Sequence, residues 1–551
     1  MLSDRLSELI QEALRKAADE GLVTLDGEYS IMLERPKRRE HGDWSTNVAL
    51  VIGRGQAQPR SIASALLERL PPSDIVDRVE VAGPGFLNFH LSPVWLHDVV
   101  RRAAAGAGFG RSDEGAGTRV NVEYVSANPT GPANVVSGRH AAVGDAIANL
   151  LEATGHEVTR EYYFNDAGAQ MRVFGETLAA RYLEVFGAPS ELPPEGYRGE
   201  YMVELAREIA QEIGDRLVVS DAEQRVASLT EMGLKRMLAK VRASLEKFGT
   251  RFDVWFFEAS LHETGAVKAA LDRLEQGGWL ERREGAVWFA SSRLGDDKDR
   301  VIVRANGATT YLAPDVAYML DKFGRGFDRL IYVLGPDHHG TIARFLAIAD
   351  ALGFGRECVE IPIVQVVTIV RGGQAVRASK RAGVLVTLDE LVDEVGSDAA
   401  RYTFLTRSTD APLEFDIELS KQQAPENPVY YVQYAHARIS SILQRATASG
   451  IAVDVERASL ERLEHPSEDV LMRKLASYEE VVPHAAQTRA PQKVAHYVEE
   501  LASDFSAFYR DCRVITEDGP LTQARLALCV ATKRVIADAL GLLGVGAPEG
   551  M

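Results

Sequence analysis

A chain of 551 residues that is 46% hydrophobic and 26% charged carries apolar material for several packed cores, and ordinary domain size divides it into three or four units. No run of about 18 apolar residues appears, and the opening Met-Leu-Ser-Asp-Arg-Leu lacks the apolar stretch of a signal peptide, so the sequence reads as cytoplasmic with no membrane partner. A net charge of −17 argues against indiscriminate nucleic-acid binding while leaving room for a local basic surface. Cys358, Cys512 and Cys529 are odd in number, far apart and without CxxC spacing, so buried free thiols are expected, with no disulfide framework and no metal site.

The first helix is predicted over 3–18, where Leu6, Leu9, Ile10, Ala13, Leu14 and Ala17 recur at helical spacing behind Ser3 as a cap. Residues 34–44 form a polar loop that places four cations, Arg35, Lys37, Arg38 and Arg39, within five positions. A solvated loop and a phosphate-contacting loop both fit that composition. Val79–Leu91 reads as two strands broken at Gly83-Pro84-Gly85, which completes a small α+β domain over 1–105. A Gly/Ala-rich connector, Ala103–Gly117, follows.

Next comes a β-turn-α-β unit. A strand from Val120 to Ser126 leads into the turn Asn128-Pro129-Thr130-Gly131-Pro132, which cannot continue a ladder. A helix over Gly138–Gly155 and a strand over Val158–Phe164 complete the unit. It places a helix N-terminus at the carboxyl edge of a parallel sheet, where nucleotides and phosphates bind. Residues 170–285 are expected to be a mostly helical insertion. Strands over 286–313 and Arg329–Gly335 are expected to supply the second half of a doubly wound sheet, with catalytic-domain bounds of 118–395. A strand over Ile361–Val370 runs into a glycine-bracketed cationic loop, Arg371–Gly383. From 396 to 551 the pattern is a helical bundle, with amphipathic stretches at 428–445, 468–485, 493–513 and 521–543. The expected fold class is therefore α/β: a Rossmann-type catalytic domain with a helical insertion, a small N-terminal α+β domain and a C-terminal α-helical bundle.

Together these segments resemble the class I aminoacyl-tRNA synthetases, and within them the arginyl-tRNA synthetases. The resemblance rests on Glu34-Arg35-Pro36, His41-Gly42-Asp43, Ala82-Gly83-Pro84-Gly85-Phe86, Ser126–Pro132 and Tyr162-Tyr163-Phe164-Asn165-Asp166. It continues through Gly295–Arg300, Tyr311 with Asp315, Asp337-His338-His339-Gly340, Ser379-Lys380-Arg381-Ala382-Gly383 and Asn427–Arg438. It implies a monomeric enzyme without a tightly bound cofactor that uses ATP with Mg2+ as substrate. The carboxylate of L-arginine attacks the α-phosphorus, and the 3′ end of tRNA(Arg) then takes the aminoacyl group.

By the same resemblance, Glu123, Tyr311 and Asp315 form the side-chain pocket, because a planar guanidinium pairs best with a carboxylate. Ser126 and Asn128 hold the α-amino and carboxylate end. Gly335, Asp337, His338 and His339 meet the adenosine, while Ser379, Lys380 and Arg381 neutralise the departing pyrophosphate. Arg35, Lys37, Arg38 and Arg39, with Tyr430, Tyr434 and Arg438, contact tRNA.

The chain departs from the family in its nucleotide signature. Asn134-Val135-Val136-Ser137 stands where the family has His-x-Gly-His, and Arg377-Ala378-Ser379-Lys380 where the class has Lys-Met-Ser-Lys. Asn134 and Ser137 keep donors for the phosphates, but Val136 sets a branched side chain where the family keeps bare backbone against adenine. That change leaves open a second reading, a paralogue that joins arginine to a small-molecule amine or acts as a tRNA-binding regulator.

Overall fold

The structure is a computed structural model, and it describes residues 2–25, 30–36, 38–53, 58–106, 108–166, 168–376 and 386–551. It opens with helix α1 (Leu2–Asp19), which already includes Ser3 in its first turn, so Ser3 is not the residue preceding the helix. Strands β1 (Leu33–Glu34) and β2 (Trp44–Thr46), helices α2 (Val48–Ile52) and α3 (Pro59–Leu67), strands β3 (Val76–Ala82) and β4 (Phe86–Leu91), and helix α4 (Pro93–Ala105) follow. The four strands make an antiparallel sheet in the order β1-β2-β4-β3.

The central sheet begins with β5 (Arg119–Glu123), crosses through α5 (Val135–Ala153) and returns as β6 (Glu157–Phe164). Three helices, α6 (Ala169–Val185), α7 (Glu200–Ile213) and α8 (Ala222–Lys247), then leave the sheet and pack a core of their own around Phe174, Leu178, Tyr182, Met202, Leu205 and Met237. The chain comes back as β7 (Val254–Phe257), a sheet strand inside the span expected to be insertion. Helices α9 (Ala259–Glu263) and α10 (Ala266–Gln276) lead to β8 (Leu280–Arg283), β9 (Ala286–Phe289) and β10 (Arg300–Val303).

Among the described residues these last three strands pair antiparallel with one another and join no strand of the central sheet. The expectation that 286–313 extends the doubly wound sheet is corrected, and helix α11 (Leu312–Gly324) already begins within that span. The second half of the sheet is β11 (Arg329–Tyr332), helix α12 (Ile342–Leu352) and the short β12 (Val359–Glu360). All neighbours are parallel, in the order β12-β11-β5-β6-β7. In and just after β11 the side chains alternate between two cores: Ile331 and Val333 belong to the one shared with α5 and the C-terminal bundle, Leu330 and Tyr332 to the one shared with α10–α12. Burial on both faces is what a parallel sheet requires.

The strand expected over Ile361–Val370 is only partly present. Pro362 interrupts it, and Val367–Arg371 forms β13, which joins β14 (Gln374–Ala375) and β15 (Leu413–Asp416) in a separate sheet. Between them run α13 (Leu388–Val395) and α14 (Ser397–Phe404), and α15 (Ile417–Ser420) leads on to the bundle. The bundle helices are α16 (Pro428–Ala448), α17 (Pro466–Gln487), α18 (Gln492–Asp511) and α19 (Gly519–Leu542), at the four amphipathic stretches read from sequence.

Helix α5 holds these parts together. It is buried around most of its circumference, as expected of a helix packed between a sheet and other helices. Gly144 sits where a side chain would place its Cβ 2.2 Å from the Tyr124 ring, so helix and strand approach closely only because the residue is glycine. Asp145 pairs with the fully buried Arg401 of α14, whose guanidinium also donates to Thr250 and to the Leu543 carbonyl.

Candidate active site

The direction of winding reverses between β5 and β11, and in open α/β sheets the crevice beyond the carboxyl ends of two such strands receives the ligand. The chain leaves β5 with φ of 67° at Val125 and 38° at Ser126, left-handed backbone that a β-branched residue adopts only under constraint. The bend lets the Ser126 hydroxyl donate to Glu123 Oε1 (3.0 Å) and accept from the Tyr163 N–H (3.1 Å).

Glu123, expected in the arginine side-chain pocket, is paired within the protein. The fully buried Lys322 places Nζ 2.6 Å from Glu123 Oε2, and the rings of Tyr318 and Tyr332 lie 4.3 and 4.0 Å from that ammonium. Its charge is met from within the protein.

Asp315, on the first turn of α11, is different. Burial pushes its carboxyl up to about 7; the nearby Arg344 opposes this, while Glu258 and Glu123 add to it. Glu258, which the sequence reading missed, is buried and accepts from the Tyr163 hydroxyl at 2.7 Å. Burial, then the Glu258 charge, hold that phenol far above the ordinary tyrosine range, so it stays a donor. The Tyr332 hydroxyl is buried with no partner among the described residues. Tyr311, one turn before Asp315, is 68% exposed, and the exposed Asn128 donates to Gln170 Oε1 at 2.5 Å. The acidic end is thus built by Asp315 and Glu258 with two tyrosine hydroxyls beside them. The sequence signal for Glu258 was its position directly after the aromatic run Val254-Trp255-Phe256-Phe257, which has strand composition.

On the other side of the crevice Asn134 caps α5. Its Oδ1 accepts from the N–H groups of Val136 (3.0 Å) and Ser137 (3.1 Å), which leaves only the Asn134 amide NH2 as a side-chain donor. Ser137 is buried, while Val136 is 45% exposed at the helix start. A side chain at Gly335 would place its Cβ 2.7 Å from Asp337 Oδ1 and 3.6 Å from His140 Cε1, so that turn is closely approached from two sides. Asp337, His338 and His339 are exposed on the turn itself, with His338 Nε2 3.6 Å from Asp337 Oδ2. His140, absent from the sequence-based site, is 8% exposed, and burial pushes its imidazole down to about 4, with Arg139 adding to this.

Ser379, Lys380 and Arg381 lie outside the described residues, as does Arg377. The segment just after them is described: Thr387 bridges to Asn134, and the Leu388 N–H donates to the Ala133 carbonyl at 2.9 Å. The chain from Thr387 onward is thus docked at the N-terminus of α5.

Of the cations assigned to tRNA, Arg35 is committed within the protein. It makes a two-pronged pair with Glu480 of α17 (3.0 and 2.8 Å) and lies over the Trp44 ring. Arg38 is exposed beside Glu40; Lys37 and the side chain of Arg39 lie outside the described residues. On α16, Tyr430 and Tyr434 stack at 5.9 Å, and Arg438 donates to the Tyr434 hydroxyl at 2.6 Å with its guanidinium 4.6 Å from that ring. They form a continuous aromatic and cationic face.

Three family models match in order. Residues 4–91 match the "Arginyl tRNA synthetase N terminal domain", 109–411 the "tRNA synthetases class I (R), catalytic domain", and 432–551 the "DALR anticodon binding domain". A protein of Carboxydothermus hydrogenoformans described as "Arginine--tRNA ligase" is 45% identical over 554 residues, covering 100% of both chains. A Moorella thermoacetica protein of the same description is 44% identical, covering 99% of this chain and 98% of its own. The structure of "Thermus thermophilus arginyl-tRNA synthetase" superposes over 100% of both chains with a TM-score of 0.77 at 24% identity, a likeness of fold. With a catalytic-domain match over more than half its length and relatives this similar from end to end, the chain belongs to the class I arginyl-tRNA synthetases.

Proposed function

We propose that the crevice between β5 and β11 is where this arginyl-tRNA synthetase joins L-arginine to ATP before passing it to the 3′ end of tRNA(Arg). The observation that carries the assignment is Asp315: a largely buried carboxyl held up near neutrality beside a second acid, Glu258, at the ligand edge of the sheet. A guanidinium supplies the charge that this environment lacks.

In the proposed reaction an oxygen of the arginine carboxylate attacks the α-phosphorus and pyrophosphate departs. A ribose hydroxyl of the tRNA end then attacks the activated carbonyl and AMP departs, with no covalent enzyme intermediate. Ser126 and Asn128 orient the amino acid. Asn134, Ser137 and the turn Gly335–His339 hold the nucleotide, which enters as its magnesium complex. Lys380 and Arg381 neutralise the pyrophosphate, a role supported by the docking of Thr387 and Leu388 against the start of α5. The protein's part is positioning and fixed charge.

On the tRNA side, Tyr430, Tyr434 and Arg438 offer a stacking face for unpaired bases, and Arg38, Lys37 and Arg39 a cationic loop for backbone phosphate. A complete α+β domain and helical bundle flanking the catalytic sheet favour tRNA over a small amine as acceptor. We read the chain as a cytoplasmic monomer; no helix among the described residues is long and apolar enough to cross a membrane. Arginine-dependent exchange of pyrophosphate into ATP, with and without tRNA(Arg), followed by a charging assay, tests the assignment. Exchange without charging sinks the tRNA step, and no exchange under either condition sinks the whole.

A further inference from the structure

The altered signature removes two imidazoles from the start of α5, but one imidazole lies a single turn further along. His140 follows Ser137 by three residues, so both occupy neighbouring positions on one side of the helix. The His140 ring packs against the turn after β11, with its Cε1 3.6 Å from where a Cβ on Gly335 would stand and within electrostatic reach of Asp337 and His338. These are the residues assigned above to the adenosine side of the crevice. His140 Nε2 is shielded from solvent and has no hydrogen-bond partner among the described residues. An unpaired buried polar atom costs about 1–3 kcal/mol, so a purely packing role is better served by an apolar side chain.

We infer that His140 contacts ATP, its Nε2 making from one turn further into the helix the nucleotide contact that the short Ser137 side chain gives up. The inference rests on reading the crevice as the ATP site. A neutral imidazole suits the place, since it offers one N–H and one lone pair without burying a second cation beside Arg139. With burial holding its proton affinity down to about 4, the ring is neutral throughout the working range. Arg139 commits both terminal guanidinium nitrogens to the carbonyls of Gln365, Val366, Ser408 and Ala411, and is not the nucleotide ligand.

The test compares steady-state ATP–pyrophosphate exchange in the unmodified protein, His140→Ala, His140→Gln and the double variant His140→Ala with Ser137→His, all in the presence of tRNA(Arg). Loss of one donor to the reacting nucleotide predicts a fall of about 10²-fold in kcat/KM for ATP in His140→Ala, with KM for arginine unchanged. Restoring an imidazole at 137 should recover most of that loss, which a purely structural role at 140 does not predict. If His140→Ala unfolds, His140→Gln decides: a change in the ATP parameters alone supports the inference, and unchanged parameters overturn it. Full exchange in folded His140→Ala, or equal losses toward ATP and arginine without rescue by Ser137→His, also overturns it. Absence of exchange in the unmodified protein defeats the ATP-site reading beneath it.

Discussion

Lys322 Nζ lies 2.6 Å from Glu123 Oε2 with both side chains buried, a pairing across 199 positions of sequence that fixes β5 to α11. Each charge stays buried because the other is there, and removing one partner of such a pair costs about 3–5 kcal/mol. Lys322→Met should therefore lower stability by that order in urea denaturation. Glu123→Gln combined with Lys322→Met should be much less destabilised than the sum of the two single changes. Additive losses would show that the pair is not coupled.

Asp315, in the pocket proposed for arginine, should make binding sensitive to pH. Its carboxyl is raised from an ordinary 3.8 to about 7, so between those values the folded protein holds a proton that the unfolded chain has lost. Stability of the unliganded protein contributed by this group is therefore present at low pH and declines as pH rises toward 7, levelling off above it. A bound guanidinium favours the ionised form, so binding expels the proton, and arginine affinity should rise about tenfold from pH 6 to pH 8. Calorimetric titration in buffers of different ionisation enthalpy reads the released proton directly. Asp315→Asn should weaken binding and abolish the pH dependence; a titration that keeps its slope in that variant assigns the proton to another group.

Val136, in the first turn of α5, is 45% exposed. Val136→Gly gives up helix propensity, at a cost of up to about 1 kcal/mol, and opens the face against which adenine is proposed to lie. The expected result is a lower KM for ATP and faster exchange, with a slightly lower thermal midpoint. Unchanged ATP kinetics would show that Val136 does not crowd the base.

Long helices were legible in the sequence from apolar residues recurring at helical spacing, and the four helices of the bundle appear where that periodicity placed them. The β5-α5-β6 unit was legible because Pro129, Gly131 and Pro132 break the ladder between apolar runs. Short strands were not. Val254–Phe257 was absorbed into the neighbouring helical pattern, and β8–β10 looked like members of the parallel sheet because composition carries no information about partners. The same limit governs the site. Asp315 could be assigned by resemblance, whereas Glu258 and Lys322 enter only through chain crossings that bring α9 and α11 beside β5 and β6. The neutralisation of Glu123 and of Arg35 is likewise a tertiary fact.

Arg35 and Tyr434 should separate the structural from the tRNA-facing residues. The Arg35 guanidinium joins the N-terminal domain to α17 through Glu480, alongside ion pairs between Asp43 and Arg473 and between Arg102 and Glu479. Tyr434 instead lies 38% exposed, stacked on Tyr430 and backed by Arg438. Arg35→Ala should lower stability by about 1 kcal/mol, a modest figure because the pair is partly solvated, and should leave the salt dependence of tRNA binding as it was. Glu480→Gln should reproduce that effect. Tyr434→Ala removes a stacking surface worth about 1–3 kcal/mol per base. It should raise KM for tRNA in charging by roughly five- to 150-fold without moving the thermal midpoint. A reduced salt slope in Arg35→Ala would return that residue to the phosphate-contacting surface, and an unchanged tRNA KM in Tyr434→Ala would remove the α16 face from it.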